Sequence, residues 1–244
     1  MIKFFRQIRR SLINQNQMGK YLKYAIGEIL LVVIGILIAL QINNWNEKRN
    51  NDKKLVNIYT SVHADIKNDL EDLNKLQDFF IKRKPIFEKV IKDSITPDLL
   101  DQGLSRLLGG GWETTLNKSG VNQLKELATK DSLALKAINL YDLLEVELMS
   151  REEYFNDIVV EHSKYVRDNY NWYPEWIDKT ITKDNSSKEL QDYFVHGDDY
   201  RNKVIYAYQQ LYNGDNYMPT TSKFIRQLSE LKVEVEKFLK DVND

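Results

Sequence analysis

The sequence predicts an all-α protein: one N-terminal transmembrane helix followed by an antiparallel helical bundle. Three observations carry that expectation. Ala25 to Leu40 is apolar throughout except for Glu28. Beyond it, apolar residues recur at steps of three and four, and no stretch sustains the period-two alternation of a strand. Gly (10) and Pro (4) are scarce among 244 residues, which suits long helices better than a turn-rich β fold.

Extended to Tyr24 and Ile42, the apolar segment has 19 residues. That is roughly 28 Å of helix, close to a bilayer core of about 30 Å. Tyr21, Tyr24 and Trp45 flank it where aromatic belts sit. A cleaved signal peptide needs a short basic region and small residues at its cleavage site. Leu40-Gln41-Ile42-Asn43-Asn44-Trp45 offers no such site, so an uncleaved signal anchor is expected. Lys3, Arg6, Arg9, Arg10, Lys20 and Lys23 precede the span, while Lys48, Arg49, Lys53 and Lys54 follow it, diluted by Glu47 and Asp52. That excess places the N-terminus in the cytoplasm. The predicted organisation is a basic cytoplasmic segment at 1–23, a transmembrane helix at 24–42 and an extracytoplasmic bundle at 43–244, in a bacterial inner membrane. Met1, Phe5, Ile8 and Leu12 share a helical face away from Lys3, Arg6, Arg9 and Arg10. This is the pattern of a short helix lying on an anionic leaflet.

The stretch Tyr24 to Glu47, with Gly27-Glu28, Gly35 and Gln41-Ile42-Asn43-Asn44-Trp45-Asn46-Glu47, carries a further signal. Together with Phe4-Phe5-Arg6-x-Ile8-Arg9, it resembles the signature of an uncharacterised family of single-pass membrane proteins of flavobacteria and related Bacteroidota. The resemblance covers residues 1–49; beyond it, only Thr114-Thr115 and Ser119-Gly120 ahead of a helix are similar. That family is a domain of unknown function. The resemblance therefore implies placement and architecture but no activity.

In the polar remainder, Leu55, Tyr59, Val62, Ile66, Leu73, Leu76 and Phe80 follow alternating steps of four and three, with Asp69 filling one seam position. Such a seam drives helix against helix. Lys84-Pro85 is expected to bend or stop this first helix. Thr96-Pro97-Asp98 reads as the start of a second, carrying Leu99, Leu100, Leu104, Leu107 and Leu108 and ended by Gly109-Gly110-Gly111. Asp131 is expected to cap the longest bundle helix, about 132–169. Its stripe runs Leu133, Ala137, Leu140, Leu144, Leu148, Phe155, Val159 and Val166. A loop at about 170–188 and two helices near 189–213 and 221–242 complete the chain. His196-Gly-Asp-Asp199 reads as a helix start with an Asp cap.

Composition narrows the function classes. With no Cys, disulfides, thiol catalysis and Cys-based metal sites are excluded. The first 28 residues carry +5 and the remainder −6, so the bundle lacks the basic face that nucleic acid requires. His63, His162 and His196 form no Glu-x-x-His or His-x-x-x-His pair. Ser and Thr lack a nucleophile context and the glycines form no phosphate cradle, so no cofactor and no catalytic residue are expected.

Two features stand out. An ionisable group within a span is costly, and Glu28 shares a helical face with Val32, Gly35 and Ala39. Gly35 to Ala39 is a small-xxx-small step that lets two backbones approach. The face suits a helix contact with another membrane protein or a second copy. The alternatives are a carboxylate snorkelling to the headgroups and a proton site of the ion-driven stator type. Tyr170, Trp172, Tyr173 and Trp176 cluster about Pro174, and Trp112 follows the triple glycine. Such aromatics either plug the end of a bundle or present a ligand or partner surface. The expectation is a non-enzymatic, membrane-anchored scaffold or accessory subunit, with a ligand-binding sensor-like bundle as the rival.

Overall fold

The computed structural model describes residues 18–178 and 181–242, and among these there is no strand. The helices are α1 (Met18–Ile91), α2 (Ser119–Lys125), α3 (Ser132–Asn169), α4 (Tyr173–Ile177), α5 (Lys188–Gln191), α6 (Asp198–Tyr212) and α7 (Tyr217–Asp241). Two 3-10 turns lie at Pro97–Leu99 and Leu104–Arg106, and a π-turn at Asp192–His196. The chain separates into two compact units, Met1–Val56 and Asn57–Asp244. The described part of the first is the start of α1. An 18-residue window there has mean hydropathy 2.6 with 0% of it buried, so the helix is long and apolar enough to cross a membrane.

In the second unit the seam residues Tyr59, Val62, Ile66, Asp69, Leu73, Leu76 and Phe80 are all buried. The chain runs helically through Pro85 rather than stopping there. Proline removes one helical hydrogen bond and crowds the preceding turn. Here Arg83 Nη1 donates to Phe79 O (3.2 Å) and the Tyr212 hydroxyl to Phe80 O (2.8 Å), just before the Ile81 carbonyl that Pro85 leaves without its helical donor. Ile86, Phe87 and Val90 then bury the next turns, so packing outweighs the local break.

Cross-helix contacts fix the directions. Tyr59 meets Asp131, Asp69 meets Tyr141 and Phe80 meets Phe155, so α1 and α3 run in parallel. Helix α7 opposes α1 through His63–Glu236 and Gln77–Ser222, and opposes α3 through Lys136–Glu234 and Lys223–Glu147. Helix α6 opposes α1 through Phe87–Tyr208 and Asp93–Arg201. Helices α6 and α7 thus follow one another as a single broken column, antiparallel to both α1 and α3. Two parallel helices require a return connection, and residues 92–131 supply it.

Helix α3 takes the bounds its cap dictates, with Asp131 Oδ1 accepting from Ala134 N (2.7 Å). The expected helix after Thr96-Pro97 is instead the two 3-10 turns, because Gly103 at φ +96° breaks the α path. Its five leucines are nonetheless buried. The segment expected as one helix near 189–213 is split by the π-turn, and α6 is capped by Gly197 rather than by an Asp. Helix α7 begins at Tyr217, four residues earlier than expected. Pro219 falls in its first turn, where an N–H would have no helical acceptor.

Candidate functional site

Residues 110–118 of the return connection carry no regular structure, yet Thr114 is buried. Buried backbone N–H groups need acceptors. Side chains of α1 and α3 supply them. Trp112 exchanges two bonds with Asn156, its N–H donating to Oδ1 (3.2 Å) and its carbonyl accepting from Nδ2 (2.7 Å). Glu152 accepts from Thr114 N (2.8 Å), from the Thr114 hydroxyl and from the Tyr217 hydroxyl (2.6 Å). Asp69 accepts from Asn117 N (2.9 Å), Asn117 Nδ2 (2.8 Å) and the Tyr141 hydroxyl (2.7 Å). Asp65 accepts from Gly120 N (2.6 Å). The connection is clasped into the groove between α1 and α3, and Gly120 touches the α1 backbone: a Cβ there would lie 2.3 Å from Val62 N.

Among the described residues, the clasp carboxylates face hydrogen-bond donors and no paired cation. Burial pushes Asp69 above the usual carboxylate range, and the Asn117 and Tyr141 donors oppose that rise. Burial likewise raises Asp65, opposed by the Gly120 N–H. Burial and the neighbouring carboxylates raise the Tyr141 and Tyr217 hydroxyls, which stay neutral donors. Every carboxylate in the clasp thus holds backbone N–H, side-chain amide or hydroxyl groups. The arrangement fixes the connection against α1 and α3.

The sequence marked these residues only faintly. Asp69 was visible as a polar seam position, and Glu152 and His162 fall on the α3 stripe between Leu148, Phe155, Val159 and Val166. A polar residue at an apolar period is the signal for all three.

Four of the five aromatics singled out in the sequence gather at one end of the bundle. Tyr170 lies 4.8 Å from Trp172, Trp172 packs on Tyr193 (5.2 Å) and Phe194 (5.5 Å), and Tyr173 meets Trp176 (6.0 Å). Trp172 and Trp176 are buried, at 6% and 1% exposure, and Trp176 donates to Ser105 O (2.9 Å). Trp112 is apart from them and rests on Phe79 (5.3 Å). Outside the cluster an open cleft of about 490 Å³ is lined by Tyr170, Trp172, Tyr193, Glu189 and Asp192. Among the described residues, no group of three or more His, Asp or Glu is placed to share a metal ion. His63 pairs with Glu236 at 2.8 Å.

On the apolar stretch of α1, Glu28, Val32, Gly35 and Ala39 lie within one continuous helix, with Val32 and Ala39 exposed. A side chain added at Gly35 would meet nothing within 4 Å. Lys23 is exposed; Lys3, Arg6, Arg9, Arg10 and the Lys20 side chain lie outside the described residues, as does the face of Met1, Phe5, Ile8 and Leu12. Trp45 is exposed, with the Arg49 guanidinium 5.8 Å from its ring centroid.

Residues 28–101 match the model of a family of unknown function, DUF6090. The DUF6090 match begins at Glu28 and takes in the apolar stretch from there on, the α1 seam, Asp65 and Asp69. It ends within the return connection, before the clasped residues 110–118. No curated protein and no solved structure matches the chain.

Proposed function

We propose that the chain is a non-enzymatic, membrane-anchored helical scaffold or accessory subunit. It crosses a bacterial inner membrane once, with the N-terminus in the cytoplasm and the bundle in the periplasm. The observation that carries this reading is the pairing of an apolar helical window with 0% burial with a bundle whose clasp carboxylates are all internally bonded. The first needs a lipid environment or a partner to cover it. The second commits these carboxylates to holding the connection in place. The N-terminal resemblance to single-pass proteins of flavobacteria and related Bacteroidota supports the same placement, and the basic excess before Tyr24 supports the orientation.

The span assembles through the face of Glu28, Val32, Gly35 and Ala39, against another membrane protein or a second copy. Interhelical hydrogen bonds in membranes contribute about 0.6–2 kcal/mol each, so single changes weaken association rather than abolish it. A Cβ at Gly35 meets nothing within 4 Å among the described residues. A loss of assembly in Gly35→Leu is therefore read as arising at the partner. Crosslinking and co-purification in mild detergent are expected to show the largest loss for Gly35→Leu, a loss for Glu28→Leu, and near-normal assembly for Glu28→Gln, which keeps a hydrogen-bonding side chain. Wild-type assembly in all three would leave Glu28 as a snorkelling carboxylate and remove the contact.

A further inference from the structure

His162 is 1% exposed, and neither of its ring nitrogens has a hydrogen-bond partner among the described residues. Its surroundings are rings from three elements. Trp176 of α4 stands edge-on at 5.5 Å, Tyr193 of the π-turn lies nearly parallel at 6.2 Å, and Tyr200 of α6 is tilted at 5.4 Å. The polar ends of these rings are committed elsewhere: Trp176 to Ser105 O, Tyr200 to Leu104 O and Tyr193 to Asp199. Two charged groups of α6 act on the imidazole. Lys203 opposes its protonation and Asp199 favours it, and the two pair with each other at 2.8 Å. Behind Trp176, Arg106 adds a second cation 5.8 Å from that ring.

A neutral imidazole already leaves one N–H donor and one acceptor nitrogen unpaired in this box. An imidazolium would bring two N–H donors and a charge into a space with no acceptor. The attraction of aromatic faces for a cation is smaller than the hydration it would lose. The adjoining segment is irregular: a π-turn between the four-residue α5 and the Gly197 cap of α6.

We propose that His162 is an acid-sensitive latch: when protonated it leaves the aromatic box, and the bundle end built from α4 and the π-turn opens around Trp172 and Trp176. Burial, reinforced by Lys203, pushes the imidazole down from 6.5 to about 4. The unfolded or opened chain therefore takes up the proton first. The stability contributed by neutral His162 is present above pH 6.5 and is lost as pH falls towards about 4. Across that window the loss amounts to ~300-fold in the closed-to-open ratio.

The test uses the full chain in detergent, following tryptophan emission and the His162 ring resonance by NMR between pH 7.5 and 4. The expected result is a red shift of emission on acidification, a His162 resonance that keeps its neutral position to below pH 5, and a much smaller red shift in His162→Phe. An equal red shift in His162→Phe overturns the latch, as does a wild-type resonance titrating near 6.5, or a depressed titration with no red shift. If His162→Phe fails to fold, the wild-type resonance and emission decide the matter by the same criteria.

Discussion

Gly120→Ala is expected to destabilise the bundle by about 3 kcal/mol or more, the upper end of the range for overpacking. The added methyl would lie 2.3 Å from Val62 N and 2.7 Å from Ser61 C and Val62 Cα. All three are backbone atoms of α1, so no side chain can swing away to relieve the contact. The connection must lift from α1, which also strains the bond from Gly120 N to Asp65. Gly110→Ala is the matched control, since a Cβ there meets nothing within 4 Å. Urea unfolding of residues 57–244 followed by circular dichroism separates the two. Equal midpoints for both variants would mean that the connection does not sit against α1 as described.

Glu152→Ala is expected to cost about 3–5 kcal/mol. It strands three donors at once: the Thr114 N–H, the Thr114 hydroxyl and the Tyr217 hydroxyl. A buried donor without an acceptor costs roughly 1–3 kcal/mol. Tyr217→Phe removes one of those donors, so the double variant should be less damaged than the sum of the two singles, by about 0.5–3 kcal/mol in a double-mutant cycle. Chemical denaturation of the four proteins measures that coupling. Strict additivity would show that Glu152 and Tyr217 do not share the bond.

These two residues also mark what the sequence made legible. Helix α3 could be read from end to end because its signals are local: Asp131 caps it, and its stripe keeps one period through to Val166. The α1 seam was equally plain, down to Asp69 as its polar member. What Asp69 and Glu152 hold was not legible, because Asn117 is 48 residues from Asp69 and Thr114 is 38 from Glu152. Periodicity reports which face of a helix is buried, not which distant segment lies against it. The same limit hid the parallel course of α1 and α3, which follows from the threading of residues 92–131. Local breakers misled in both directions. Pro85 was overruled by the packing of Ile86, Phe87 and Val90, whereas Gly103, which looks innocuous among leucines, broke a helix into two 3-10 turns. His162 could have been singled out as a histidine on an apolar stripe. Its lack of a partner emerges only once α4, the π-turn and α6 are folded around it.

The proposed function requires the apolar stretch of α1 to span a membrane and leave the bundle on the far side from the N-terminus. A reporter enzyme active only outside the cytoplasm, fused after Asp244, distinguishes the two orientations. An active fusion that stays with the membrane fraction after carbonate extraction is expected. A well-expressed but silent fusion would contradict the proposed orientation and put the bundle in the cytosol.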